Sequence, residues 1–545
     1  MLTFKLICFS TASIQLITFL LCNFYYLFTF IFINLDNSSE IKMKTIAEIN
    51  EKIKNGDVVV VTAENMIDIV KENGVEKAAR EVDVVTTGTM GKMCSSGAFL
   101  NFGHSDPPMK LSKNVFLNDV DAYGYIAAAD VYIGAAACSR KNKCYGGGHV
   151  IEDLINRKEI YLTAEGDKTD CYPKTSIETK ITIDDLNQAI LCNPRNAYQN
   201  YNVAVNSSDK TLYTYMGTLL PNFGNVTFSS AGQLSPLIND PYLETIGIGT
   251  RIFLGGGTGY VIGEGTQHNT EVERINDVPV KPAATLMVKG DLKQMNNKFL
   301  KGGYVHKYGT TLYVGIGIPI PILNESLARF CSISDAQIFA NVIDYAVPRR
   351  SKPLIRKISY AELRSGKITI NDEEVPVSSL SSYKKASEIA SELKNLILRK
   401  DFLLTQAVAE LPKSKFKPMK EITKEIKVKD VMTEAIVADL DSEISHISRI
   451  MIEKNVNHIA ILKKGLLVGI VTSWDITKAY GLKTENLTDI MTTNVIVASP
   501  DENIEDVAKR LDEHNISALV VVVEKKVVGI ITAENISKLV KNRKI

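Results

Sequence analysis

An internal repeat near the C-terminal end restricts the fold of this chain more than any other feature. Asp430-Val431-Met432-Thr433 returns about sixty residues later as Asp489-Ile490-Met491-Thr492. Gly469-Ile470-Val471-Thr472-Ser473-Trp474-Asp475 returns at about the same interval as Gly529-Ile530-Ile531-Thr532-Ala533-Glu534-Asn535. Each copy reads as a strand, a helix, a hairpin-like pair of strands (459 to 462 and 468 to 471 in the first copy) and a closing helix. Two such units in tandem are expected to stack as one module.

The repeat resembles a tandem pair of cystathionine-β-synthase (CBS) domains, over 428–482 and 487–541. That resemblance implies clefts for an adenosine-containing ligand. The closing Thr would meet phosphate or nearby polar groups, and the Asp three residues later would bind ribose hydroxyls; Thr472 and Asp475 match this pattern. It also implies nucleotide-site roles for Asn457, Ile459, Thr532 and Asn535. An amide replaces the carboxylate at Asn535, which weakens the second site, because a carboxylate accepts two hydroxyl hydrogen bonds better than an amide does. The expected role is regulatory rather than catalytic.

At 545 residues the chain is too long for one core. A formal charge of +1 gives no global field to recruit nucleic acid. The cysteines contain no C-x-x-C pair, against a zinc ribbon or a ferredoxin-type cluster, and fit a reducing cytoplasm. Between Lys5 and Asp36 no residue is charged, which is long enough to span a bilayer. Globular patterning begins at Met43, so residues 1–42 are expected to be upstream sequence from a misassigned start, with a membrane anchor as the alternative.

From Met43 the pattern gives a helix, a strand at 58 to 61, and a helix over Ala63 to Asn73 closed by Gly74. Glycine-rich strands are expected at 246 to 254 and 312 to 318. A helix from Tyr383 to Arg399 carries Ile389, Leu393, Leu396 and Ile397 on one face. The fold class is therefore α/β: a Gly-rich α/β catalytic domain over 43–403, a basic linker over 404–427, and a βαββα-type pair.

In the large domain the thiol of Cys171 is the first candidate for chemistry. Pro173 restricts Tyr172 to extended geometry and places the sulfur on a loop, while Lys168 and Lys174 favour thiolate and Asp170 opposes them. Cys94, among small residues in Met90-Gly91-Lys92-Met93-Cys94-Ser95-Ser96-Gly97, is the second functional thiol. Gly146-Gly147-Gly148 and Gly255-Gly256-Gly257 are weak anion-cradle candidates, since neither has dinucleotide or P-loop spacing. His149 and His268 are potential pocket residues, Cys138 and Cys144 a potential but coincidental redox pair, and no metal-ligand spacing is present.

These segments, with Thr169-Asp170-Cys171-Tyr172-Pro173, Pro236-Leu237-Ile238-Asn239-Asp240-Pro241 and Gly255-Gly256-Gly257-Thr258-Gly259-Tyr260, are similar to the homocysteine-biosynthesis proteins of methanogenic archaea, the L-aspartate semialdehyde sulfurtransferases. The resemblance implies a cysteine persulfide at Cys171 that delivers sulfur to L-aspartate 4-semialdehyde, giving L-homocysteine, with Cys94 as a second functional cysteine. It implies a sulfide source and a ferredoxin-like iron-sulfur partner as external reductant, with no cofactor held tightly in this chain. An adenosyl ligand, S-adenosylmethionine or methylthioadenosine, is expected at the CBS pair, and a homodimer through it. Two rival readings are a non-catalytic metabolite sensor and another thiol-dependent enzyme under CBS control, such as an IMP-dehydrogenase-like one.

Overall fold

The structure is a computed structural model that describes residues 43–419 and 425–542. The apolar extension over 1–42 and part of the expected linker lie outside the described residues. The chain divides into two compact units, the second starting at Pro418. Both are mixed α/β.

In the large unit, Thr45 and Glu48 form a reciprocal capping box on the helix Ile46–Asn55, and Gly56 closes it in the left-handed region. The strand Val60–Thr62 runs parallel to Val84–Thr86, two residues later than its sequence pattern suggests. The helix Ala63–Asn73 stops at Gly74 as expected.

The body is a nine-stranded sheet in which Leu300–Val305, Gly309–Gly317, Arg251–Leu254, Gly257–Glu264, Leu286–Asp291, Gln188–Asn196, Gly97–Asn101 and Asp130–Gly134 follow one another. Thr89–Lys92 pairs with the free flank of Gly309–Gly317. A six-stranded sheet includes Val203–Val205 and Val226–Phe228, and a four-stranded sheet includes the hairpin of Ile160–Glu165 and Ser176–Ile181. The helix Tyr383–Leu398 buries Ile389, Leu393 and Ile397, the face its spacing predicts.

Three expectations change. The stretch 246 to 254 is a strand only from Arg251, because Gly249 turns at φ 88° and Ile248 pairs instead with Ala409. Gly255 and Gly256, with φ of 60° and 100°, are the two central residues of the hairpin joining Arg251–Leu254 to Gly257–Glu264, so they make a turn rather than an anion cradle. The expected linker does not begin at 404: Thr405 bonds Gly249 and Arg251, Leu411 is buried, and Ser414 bonds His268 and Thr270, so this stretch belongs to the large unit.

In the second unit the two repeats exchange their opening elements. Thr433 of the first copy pairs with Ile530 of the second, and Thr492 of the second pairs with Ile470 of the first. A Cβ on Gly529 would meet Met432 Sδ at 2.9 Å, and one on Gly469 would meet Met491 Sδ at 2.7 Å. The Met of each opening motif thus needs the Gly of the other copy's closing motif, which is why the two elements recur together. Among the described residues no helix is long and apolar enough to cross a membrane.

Candidate active site and effector cleft

Cys94 lies in the turn between Thr89–Lys92 and Gly97–Asn101. The turn is pinned by Met93 N donating to Leu312 O at 2.8 Å, and by Ser95 Oγ donating to Asn193 Oδ1 and Arg195 O. The Cys94 sulfur sits 3.2 Å from Thr311 Oγ1 and faces a cavity of about 320 Å³. The cavity walls come from far-separated segments: Lys92 and Ser95, Arg195 to Tyr201, Tyr215, Ser229 and Ser230, Tyr308 and Ser381.

Among the described residues its charged lining is wholly cationic, since Lys92 and Arg195 line it and no carboxylate does. Lys92 Nζ donates to the backbone carbonyl of Tyr215 at 2.7 Å. Burial lowers its pKa to about 8, with Cys94 pulling the other way. Arg195 is steered by Nε donating to Thr266 Oγ1 at 2.8 Å. Burial pushes the Tyr198 phenol up, with Arg195 opposing, and the Tyr215 and Tyr345 hydroxyls share a 2.7 Å hydrogen bond. Lys92 was within reach of sequence reading, two residues from Cys94. Arg195 and the tyrosines carry no local signal.

Cys171 is exposed in the loop of the hairpin between Ile160–Glu165 and Ser176–Ile181. Thr169 and Tyr172 exchange backbone hydrogen bonds of 3.1 and 3.2 Å around it, and the Tyr172 ring stacks on His104 at 6.1 Å. Among the described residues no hydrogen bond joins Cys171 to Cys94, and Cys171 is not among the cavity walls.

The other candidates are structural. His149 accepts from Gly146 N and stacks on Tyr145 at the start of the helix Gly147–Ile155, and Gly147 and Gly148 let that helix touch the backbone of Gly134 and Thr311. His268 is buried against the backbone of Thr285, so its neighbour Gln267 reaches the cavity instead. Cys138 and Cys144 are both exposed free thiols. Among the described residues no group of His, Cys, Asp and Glu is placed to hold a metal ion.

In the second unit a cleft of about 990 Å³ is lined by Asn457, Thr472, Thr532 and Asn535. Asp475 stands behind Thr472, its Oδ2 accepting from Thr472 N at 2.9 Å and Oγ1 at 2.7 Å; Asn535 Oδ1 does the same for Thr532 at 2.9 and 2.7 Å. Ile459 differs from expectation: it is fully buried in the core of the first repeat and does not line the cleft. Sequence reading missed Trp474, an exposed wall residue, and His458, whose Nε2 bonds Ser517 Oγ of the other copy at 2.8 Å.

The family described as homocysteine biosynthesis enzyme, sulfur-incorporation, matches residues 58–404, and CBS domains match 428–481 and 487–542. The chain is 53% identical over 522 residues to an L-aspartate semialdehyde sulfurtransferase of Methanocaldococcus jannaschii, covering 92% of this chain and 100% of that protein. It is 50% identical over 509 residues to the enzyme of the same name from Methanosarcina acetivorans, covering 92% of this chain and 99% of that protein. A crystal structure of a CBS domain pair in complex with 5′-methylthioadenosine and S-adenosyl-L-methionine is 41% identical, covers 22% of this chain and 98% of its own, and has a TM-score of 0.22.

Proposed function

Since this chain belongs to the homocysteine biosynthesis family and is a sulfurtransferase, we propose that it carries sulfur as a persulfide on Cys171 and delivers it to the aldehyde carbon of L-aspartate 4-semialdehyde bound beside Cys94. The observation that supports this most is the separation of tasks between the two thiols. One is offered to solvent on a hairpin loop, where a donor can load it, and the other faces a cationic cavity of about 320 Å³. A persulfide is a strong nucleophile toward a carbonyl, and an amino acid with a carboxylate suits walls that bear Lys92 and Arg195 without an acid.

The chemistry requires reduction. Release of the outer sulfur from the persulfide takes two electrons, and conversion of the aldehyde carbon to a thiol-bearing carbon takes two more. One aldehyde and one persulfide then give one thiol, one free Cys171 and one water with four electrons and four protons. A ferredoxin-like iron-sulfur partner is the source of electrons in this reading. The cleft between the CBS copies takes an adenosyl ligand, with Thr472 and Thr532 toward phosphate or nearby polar groups, and pairs of this unit join two chains.

The test is homocysteine formation by the anaerobic full chain from semialdehyde, a small-molecule persulfide as sulfur donor and a reduced iron-sulfur donor. Cys171→Ser and Cys94→Ser are each expected to lower it by about 1,000-fold or more. Undiminished turnover in Cys171→Ser would sink the reading.

A further inference from the structure

Lys92 is half-buried in a way that stability does not ask for. Among the described residues its ammonium has no carboxylate in hydrogen-bond reach, only the Tyr215 carbonyl, and it shares the cavity with Cys94. A lysine that only balanced charge would sit beside an acid. One whose pKa is lowered by desolvation, in the same cavity as a thiol and an arginine that can take a carboxylate, is arranged to meet an aldehyde.

We propose that Lys92 forms an imine with the aldehyde carbon of the substrate, so that sulfur adds to a C=N bond rather than to the carbonyl. This rests on the reading given under Proposed function. The neutral Nζ adds to the aldehyde carbon, and the carbinolamine loses its oxygen as water. Sulfide, freed from the Cys171 persulfide by two electrons of the iron-sulfur donor, adds to the imine carbon. The C–N bond then breaks, returning the Lys92 amine and leaving C=S. From aldehyde and sulfide to thioaldehyde and water no net electrons enter. Two further electrons and two protons from the same donor complete the thiol. The lysine supplies what direct addition lacks, a leaving group that replaces the carbonyl oxygen before sulfur arrives.

Burial places the Lys92 pKa at about 8. Below that value the ammonium cannot add, and above it the free amine dominates. The experiment incubates the full chain with L-aspartate 4-semialdehyde and cyanoborohydride and maps the peptides by mass. The expected result is a gain on the Lys92 peptide equal to the substrate less one oxygen atom, exceeding that on solvent-facing lysines. It should rise about tenfold per pH unit below pH ~8 and level above it. Lys92→Arg keeps the charge, cannot form the imine, and is expected to lose the adduct and about 100-fold of turnover with a smaller change in KM. Homocysteine formed by the unmodified chain with no adduct on Lys92, or Lys92→Arg active to within about threefold, overturns the imine alone. Failure of the unmodified chain to make homocysteine overturns the parent reading and this inference with it.

Discussion

The sulfur of Cys94 lies 3.2 Å from the hydroxyl of Thr311, a side chain fully buried in the strand Gly309–Gly317, and among the described residues no other hydrogen bond engages that hydroxyl. Either atom can donate in this contact, which ties the Cys94 turn to the neighbouring strand. Thr311→Val is therefore expected to cost about 1 kcal/mol of stability and, by freeing the thiol from its fixed partner, to change the alkylation rate of Cys94 about threefold. Equal alkylation rates in the two proteins would assign Thr311 to packing only.

Arg195 is steered by Thr266 and stands in a cavity without a carboxylate. Its expected contribution is to ground-state binding of the substrate carboxylate, where a charge-assisted pair contributes about 1.5–3 kcal/mol. Arg195→Met should raise KM for the semialdehyde about 10- to 100-fold with kcat little changed. A fall in kcat at constant KM would move Arg195 from holding substrate to the chemical step.

The packing of Met432 on Gly529 locks the first CBS copy to the second, and the backbone oxygen of Thr433 stands only 3.0 Å from where a Cβ would be. Gly529→Ala is expected to cost about 1–3 kcal/mol through overpacking. Calorimetry of the full chain should show the transition of this unit lowered and that of the large unit unchanged. A melting profile identical to the parent would mean the exchange of opening elements adds nothing.

Trp474 is the only tryptophan of the chain and lines the CBS cleft, with Lys478 Nζ 6.0 Å from its ring. Binding of S-adenosylmethionine or methylthioadenosine is expected to change its fluorescence, and Asp475→Ala to weaken that response about tenfold or more through loss of the carboxylate that fixes Thr472. A flat titration with both compounds would remove the adenosyl ligand from the account.

What could be read from the chain differs by kind of element. The helices Ala63–Asn73 and Tyr383–Leu398 are legible because their stop signal or apolar stripe is local. The CBS pair is legible because it is written twice. Strand edges such as Arg251 are not, since Ile248 gives up its place in the sheet to bond Ala409, a contact no window of sequence contains. The two thiols stand out by residue type. Their surroundings do not: Arg195, Tyr215 and Tyr308 reach the Cys94 cavity only after distant strands pair, and the alternation that buries Ile459 is decided by which face of its strand meets the core.

The most direct test of the account is the fate of sulfur on Cys171. The anaerobic full chain is loaded with a persulfide donor, mapped by peptide mass, then given L-aspartate 4-semialdehyde and a reduced iron-sulfur protein. The account predicts the added mass of one sulfur atom on the Cys171 peptide, discharged with formation of homocysteine. A persulfide that forms on Cys94 and never on Cys171, or one on Cys171 that survives the substrate and reductant, would contradict it.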